Sequence, residues 1–139
     1  KAKYFPKVLA PNLDVSFYLL GWTPGSLDSW NVLSNLHGCP RIADDAVIWN
    51  KPDRNKITNG KFNIGGYCNE EVDALTAKVL SETDAGKRDQ LIEAAFAMTI
   101  DDIAYIPLHQ QALAWGVRSG VTLKQRADNQ FKWRFVKIQ

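Results

Sequence analysis

Two adjacent acid pairs, Asp44-Asp45 and Asp101-Asp102, are the residue types a carboxylate hydrolase or a divalent-metal site would use. Neighbouring positions on a helix point about 100° apart, so neither pair shares a site by itself. Asp101-Asp102 reads as a wet helix end and Asp44-Asp45 as a solvated loop. His37 and His109 sit in no catalytic motif, and no local Ser-His-Asp or Cys-His arrangement accompanies them. Gly65-Gly66 lacks the pattern of a phosphate-binding loop. The chain therefore reads as non-enzymatic, with no cofactor, no metal and no catalytic residue expected. A hydrolase using Asp28 or Asp101 is the competing catalytic reading.

Cys39 and Cys68 are the only cysteines. As a disulfide they close a loop rich in proline, glycine and asparagine, for which the chain-entropy picture gives roughly 3–4 kcal/mol. As metal ligands they need His37 and His109, but that order has none of the usual zinc spacing. The disulfide is favoured over two unpaired thiols, and both over zinc.

The binding chemistry concentrates in Leu19-Leu20-Gly21-Trp22-Thr23-Pro24-Gly25-Ser26-Leu27-Asp28. An apolar run, Val15 to Leu20, predicts a buried strand that stops at a Gly-Trp pair. A loop of small residues follows, and then a helix. Such strand ends hold ligands in α/β proteins, because they offer approachable backbone, a helix start and an aromatic face. The candidate ligand-binding residues are Trp22, Thr23, Gly25, Ser26 and Asp28. The competing reading of Trp22 is a core residue at a tight turn.

The elements that must position this loop follow from periodicity. Tyr4 to Leu9 predicts a short helical turn. Trp30, Leu33 and Leu36 recur at helical spacing after Ser26, the expected N-cap, and Gly38-Cys39-Pro40 ends that helix. Residues 41–66 form a turn-rich insertion with one short strand at Ala46 to Trp49. Asn69 caps a helix whose stripe is Val72, Leu75, Val79 and Leu80, with Glu70 and Glu71 complementing its dipole. Thr83-Asp84 starts a second helix carrying Leu91, Ile92, Ala95, Phe96, Thr99 and Ile103. Tyr105 to Leu108, Ala112 to Val117 and Phe131 to Ile138 predict strands. The helix pair should pack on the Val15–Leu20 and Tyr105–Leu108 strands.

Composition sets the class. The 45% hydrophobic and 23% charged residues are those of a soluble globular domain, and no apolar run is long enough to span a bilayer. No signal sequence is visible, so the chain is expected to be mature, internal or truncated. The net charge of +2 does not call for a nucleic-acid partner. Six cations, from Arg118 to Lys137, face only Asp128 across the last 22 residues. With Phe131, Trp133 and Phe135 interleaved, that tail reads as a strand with one wet face rather than a single-stranded nucleic-acid platform.

The order of blocks resembles a known family. Phe17-Tyr18-Leu19-Leu20-Gly21-Trp22 is followed by an Asp-containing loop and by Phe62-Asn63-Ile64-Gly65-Gly66-Tyr67-Cys68-Asn69, which leads into Glu71-Val72-Asp73. Glu82-Thr83-Asp84 with Lys87-Arg88 and then Tyr105-Ile106-Pro107-Leu108-His109 complete the series. This order is similar to the C-terminal portion of the family 5 extracellular solute-binding proteins, the dipeptide-, oligopeptide- and nickel-binding receptors of bacterial ABC importers. The resemblance implies an α/β fold: the C-terminal lobe of a two-lobed, type II-like periplasmic binding protein, present as a fragment. Residues 1–109 would be part of that lobe, and residues 110–139 would return to the other.

The implied function is capture of a peptide or peptide-like solute by lobe closure. The implied partners are that ligand, an ABC permease in the inner membrane and the remainder of the receptor. The implied location is periplasmic, with a Cys39–Cys68 disulfide and with Trp22 lining the cavity. Peptide-binding members place an aspartate three residues after the tryptophan for the ligand's amino terminus. Gly25 stands there in this chain, and the nearest acid is Asp28. That departure leaves room for a modified peptide, an opine-like conjugate or a sugar. The alternative function is a stand-alone tryptophan-rich binding or interaction module, for which five tryptophans supply the surface.

Overall fold

A computed structural model of the chain describes residues 3–8, 16–42 and 56–139. The order is α1 (Tyr4–Val8), α2 (Ser29–Val32) running directly into a π-helix (Leu33–His37), then β1 (Arg41–Ile42) and β2 (Ile57–Asn59). After these come α3 (Glu70–Ser81), α4 (Ala85–Asp101), β3 (Val121–Leu123), a 3-10 turn (Trp133–Phe135) and β4 (Val136–Ile138). Among the described residues the strands form two separate antiparallel pairs, β1 with β2 and β3 with β4.

The helices start where their sequences say they should. Asn69 Oδ1 accepts the Glu71 and Val72 amides, and Asp84 Oδ1 accepts the Lys87 amide, satisfying donors that the first turn leaves free. Glu70, Glu71 and Asp73 add negative charge at the N-terminus of α3. The connection between α3 and α4 is short, so the helices pack on each other, and both also lean on the π-helix. Leu33, Ile64, Val72, Val79 and Ala95 fill the space between them and are fully or almost fully buried. Each of the larger ones stabilises by about 1.5–3 kcal/mol. Thr76 and Thr99 are buried too, their hydroxyls donating to the carbonyls of Val72 and Phe96 within their own helices.

A disulfide joins Cys39 to Cys68, 29 positions apart, and selects among the three readings of the cysteines. It closes a polar knot. The Asp73 carboxylate accepts the Cys39 amide at 3.0 Å, Asn59 Nδ2 at 3.1 Å and Arg41 Nε at 3.1 Å. Gly60, at φ 61°, passes so close to the π-helix exit that an added Cβ would lie 2.3 Å from the Gly38 carbonyl oxygen. Only glycine fits there.

Several expectations are corrected. Residues 16–20 carry no strand, and neither do Tyr105–Leu108 or Ala112–Val117. Their apolar residues lack a pairing partner, and Val15 lies outside the described residues, as do Ala46 to Trp49. The helix pair packs on the π-helix. Asp28, not Ser26, caps α2. Leu80 is exposed, and Thr76, about one turn earlier, is buried on α3 beside Val72 and Val79 instead. The α4 stripe stops before Ile103, which is 72% exposed with φ at 51°, so the chain turns away just past the helix end. Only Val136–Ile138 of the final predicted strand pairs, because Trp133–Phe135 winds into the 3-10 turn.

Candidate functional site

Trp22 lies half-buried in the irregular segment ahead of α2. Its indole Nε1 donates to Asn31 Oδ1 at 3.1 Å, and its ring sits 4.9 Å from that of Phe62 at an interplanar angle of 54°. Both partners are fixed from behind. The Asn31 carbonyl accepts Asn35 Nδ2 at 2.8 Å, and the Phe62 amide donates to the Asn35 carbonyl at 3.0 Å. One indole face is thus held while part of the ring stays in contact with solvent. Trp22 is neither fully buried nor loose.

Thr23, Gly25 and Ser26 are exposed, and nothing lies within 4 Å of where a Cβ on Gly25 would stand. Backbone and hydroxyl groups are open there. Asp28 is committed elsewhere. Its Oδ1 accepts the Trp30 amide at 2.8 Å, and both carboxylate oxygens lie 2.8 Å from Arg88 Nη2. The Arg88 hydrogen bond, helped by the Trp30 amide, holds this carboxyl below the usual carboxylate range against a small opposing effect of burial. Arg88 Nε also donates to the Val79 carbonyl at 3.1 Å. One guanidinium thereby ties the α2 cap to α3 from its place on α4. Thr23, Gly25 and Ser26 thus stay open in this loop, while Asp28 is held by Arg88.

Asn31, Phe62 and Arg88 escaped sequence reasoning as parts of this site. Asn31 stands in no motif, Phe62 and Arg88 entered only as members of the resembling blocks, and Arg88 lies 60 positions from Asp28. The acid pairs are also placed. Asp102 accepts the Tyr67 hydroxyl at 2.7 Å and Asn69 Nδ2 at 2.8 Å, tying the end of α4 to the start of α3, and these bonds lower its pKa. Burial first, and the bond to Asp102 second, push the Tyr67 phenol up. Asp101 is exposed, while Asp44 and Asp45 lie outside the described residues. Among the described residues no group of three His, Cys, Asp or Glu side chains is arranged to hold a metal. An open depression of about 460 Å³ lies over the α3–α4 junction, lined by Lys78, Ser81, Glu82, Lys87, Gln90 and Leu91. None of the Trp22 loop residues lines it, and its exposed rim gives no enclosed ligand site.

The tail carries a second aromatic group. Trp115 and Phe131 stack at 5.8 Å, Phe131 meets Trp133 edge-on at 4.7 Å, and Trp115 Nε1 donates to Asn129 Oδ1 at 2.9 Å. The Arg134 guanidinium lies 4.8 Å from the Phe135 ring. Asp128 is held by Arg126, whose hydrogen bonds bring its pKa to about 2. No described helix is long and apolar enough to cross a membrane.

The chain matches no protein-family model, no curated protein and no solved structure.

Proposed function

We propose that the chain is part of the substrate-binding component of an ABC importer, a periplasmic receptor that closes two lobes on a peptide or peptide-like solute. Residues 1–109 belong to its C-terminal lobe and residues 110–139 to the segment returning to the other. The observation that carries this reading is Trp22, a half-exposed indole clamped by Asn31 and Phe62 directly ahead of a capped helix. The disulfide agrees with an oxidising compartment such as the periplasm. Among the described residues, 105–117 make no backbone–backbone hydrogen bond, and Ile106, Leu108 and Val117 are exposed, which agrees with cover supplied by the rest of the receptor. The partners are the ligand, the inner-membrane permease and that remainder, with no nucleic acid.

The locked Asp28 and the glycine at position 25 leave a ligand ammonium unpaired at this loop. The solute therefore presents a neutral or modified end here, as in an acylated peptide, an opine-like conjugate or a sugar. Titration calorimetry on the receptor as its source makes it, with free and N-acetylated dipeptides, tests this. Trp22→Ala should weaken binding about tenfold, equivalent to about 1.4 kcal/mol, without unfolding the protein. Unchanged affinity removes Trp22 from the site. Turnover of the solute abolished by Asp28→Asn would replace the receptor with a hydrolase. The second reading, a tryptophan-rich module acting alone, draws on the Trp115–Phe131–Trp133 group, in which Trp133 is 80% exposed.

A further inference from the structure

His37 ends the π-helix with its ring turned inward. Only 9% of its surface is exposed, and its buried Nδ1 has no hydrogen-bond partner among the described residues. Two rings from other elements hold the imidazole: Phe96 of α4, edge-on at 5.8 Å, and Tyr105, tilted at 5.0 Å. The Tyr105 hydroxyl donates to the Leu36 carbonyl at 2.9 Å, lies 3.4 Å from Asn63 Oδ1 and accepts from the Tyr18 hydroxyl at 3.5 Å. The imidazole therefore stands where the π-helix, α4 and the segment after α4 meet. π-Helical turns of this kind recur at places that move or bind.

Among the described residues, the rings that face this imidazole offer a proton no counter-charge. Its neighbour on α4 is an aromatic hydrocarbon, and its neighbour on the following segment is a phenol that burial keeps protonated. The acids at the end of α4, Asp101 and Asp102, are exposed, and Asp102 is engaged with Tyr67 and Asn69. A buried, uncompensated imidazolium is relieved only by letting the ring out to water.

We infer that His37 is an acid-sensitive latch, whose protonation frees the Tyr105 segment from the π-helix while α3 and α4 stay packed. This inference stands whether or not the receptor reading holds; if it does, the latch lies at the root of the segment that crosses between lobes. Burial alone lowers the His37 pKa from 6.5 to about 4. Above pH 6.5 both the latched and the freed ring are neutral, and the latch is shut. As pH falls below 6.5 the freed, hydrated ring takes up the proton first. The freed population then rises until it levels off near pH 4, about 300-fold above its neutral value.

Proton NMR on the whole chain reads this directly. Between pH 7 and pH 4 the His37–Tyr105 ring cross-peaks should fade and the Tyr105 ring signals move to solvated values, while α3 amides keep their protection from exchange. His37→Phe keeps a ring and removes the proton, so its Tyr105 signals should stay native to pH 4. His109→Gln should behave as wild type. Wild-type Tyr105 signals unchanged at pH 4, α3 protection lost at the same pH, or identical acid behaviour of wild type and His37→Phe would each overturn the inference. If His37→Phe does not fold, the wild-type titration decides: a His37 ring titrating near 6.5, the ordinary histidine value, also overturns it.

Discussion

The molecule has two halves that hold themselves together by different means. Between Leu33 and Thr99 lie Leu33, Ile64, Val72, Val79 and Ala95, all with 2% or less of their surface exposed, together with a disulfide and the Asp73 knot. After Thr99 no residue is buried. The tail keeps its shape through the β3–β4 ladder, the Trp115–Phe131–Trp133 ring contacts and one ion pair at its tip. Large side chains are present in both halves, so the difference is not one of composition. The body has three helical elements whose apolar faces meet, whereas the tail has a two-stranded ribbon none of whose residues is buried. A lone two-stranded ribbon is marginal in water.

The largest effect should come from the body's covalent fastening. Reducing the disulfide, or replacing both Cys39 and Cys68 by serine, should cost roughly 3–4 kcal/mol, since the closed loop of about 30 residues gains its freedom only in the unfolded chain. Urea unfolding followed by far-ultraviolet circular dichroism measures this through the loss of α3 and α4. Thiol titration of the denatured, unreduced chain should find no free cysteine. A loss below about 1 kcal/mol would mean that the body is held by its helices alone, and the contrast between the halves would shrink.

What could be read from the residues follows the same division. Asn69 and Asp84 announce α3 and α4 because each cap is local chemistry, a side-chain oxygen reaching the next few amides. Gly38-Cys39-Pro40 marks the end of the π-helix for the same reason. The choice between Ser26 and Asp28 as the cap of α2 is not local. Both types cap well, and the decision belongs to Arg88, far along the chain. The run before Gly21 shows why apolar alternation predicts strands that do not form. Apolar alternation reports a wish for burial, while a strand exists only if another strand pairs with it. At Ile103 the turn needs a left-handed backbone that no glycine announces. Of the candidate site, the tryptophan was legible and its clamp was not, since Asn31 and Phe62 become neighbours only through the fold.

Asp28→Asn separates the clamp from the cap, because asparagine still caps α2 but cannot pair with Arg88. Asp28 and Arg88 are both partly exposed, so solvent screens the pair and the loss should be about 1 kcal/mol or less. The pH dependence has a definite sign. Arg88 lowers the pKa of Asp28 in the folded chain, so the stabilisation is complete above the ordinary aspartate value and is lost as pH falls through the lowered one. Urea midpoints of wild type and variant should differ at pH 7 and converge as the acid limit is approached. A difference that grew in acid would mean that Asp28 acts through something other than Arg88.

Trp133→Ala should have the smallest effect, and its smallness is the sharpest statement about the tail. The residue is 80% exposed and touches Phe131 edge-on at 4.7 Å. Truncation therefore leaves no cavity to collapse and no polar group unpaired. An exposed position without a cap, a buried partner or a special backbone angle normally changes stability by about 0.5 kcal/mol or less. The urea midpoint of the body should not move. Sedimentation equilibrium on the same variant supplies the second half of the test, because exposed Trp133 and Ile138 lie on a ribbon that another surface can cover. If wild type self-associates through this ribbon, Trp133→Ala should shift it toward monomer at unchanged body stability. A loss of more than about 1 kcal/mol in the monomer would show instead that the ribbon packs on the body, and the two halves would then be one core.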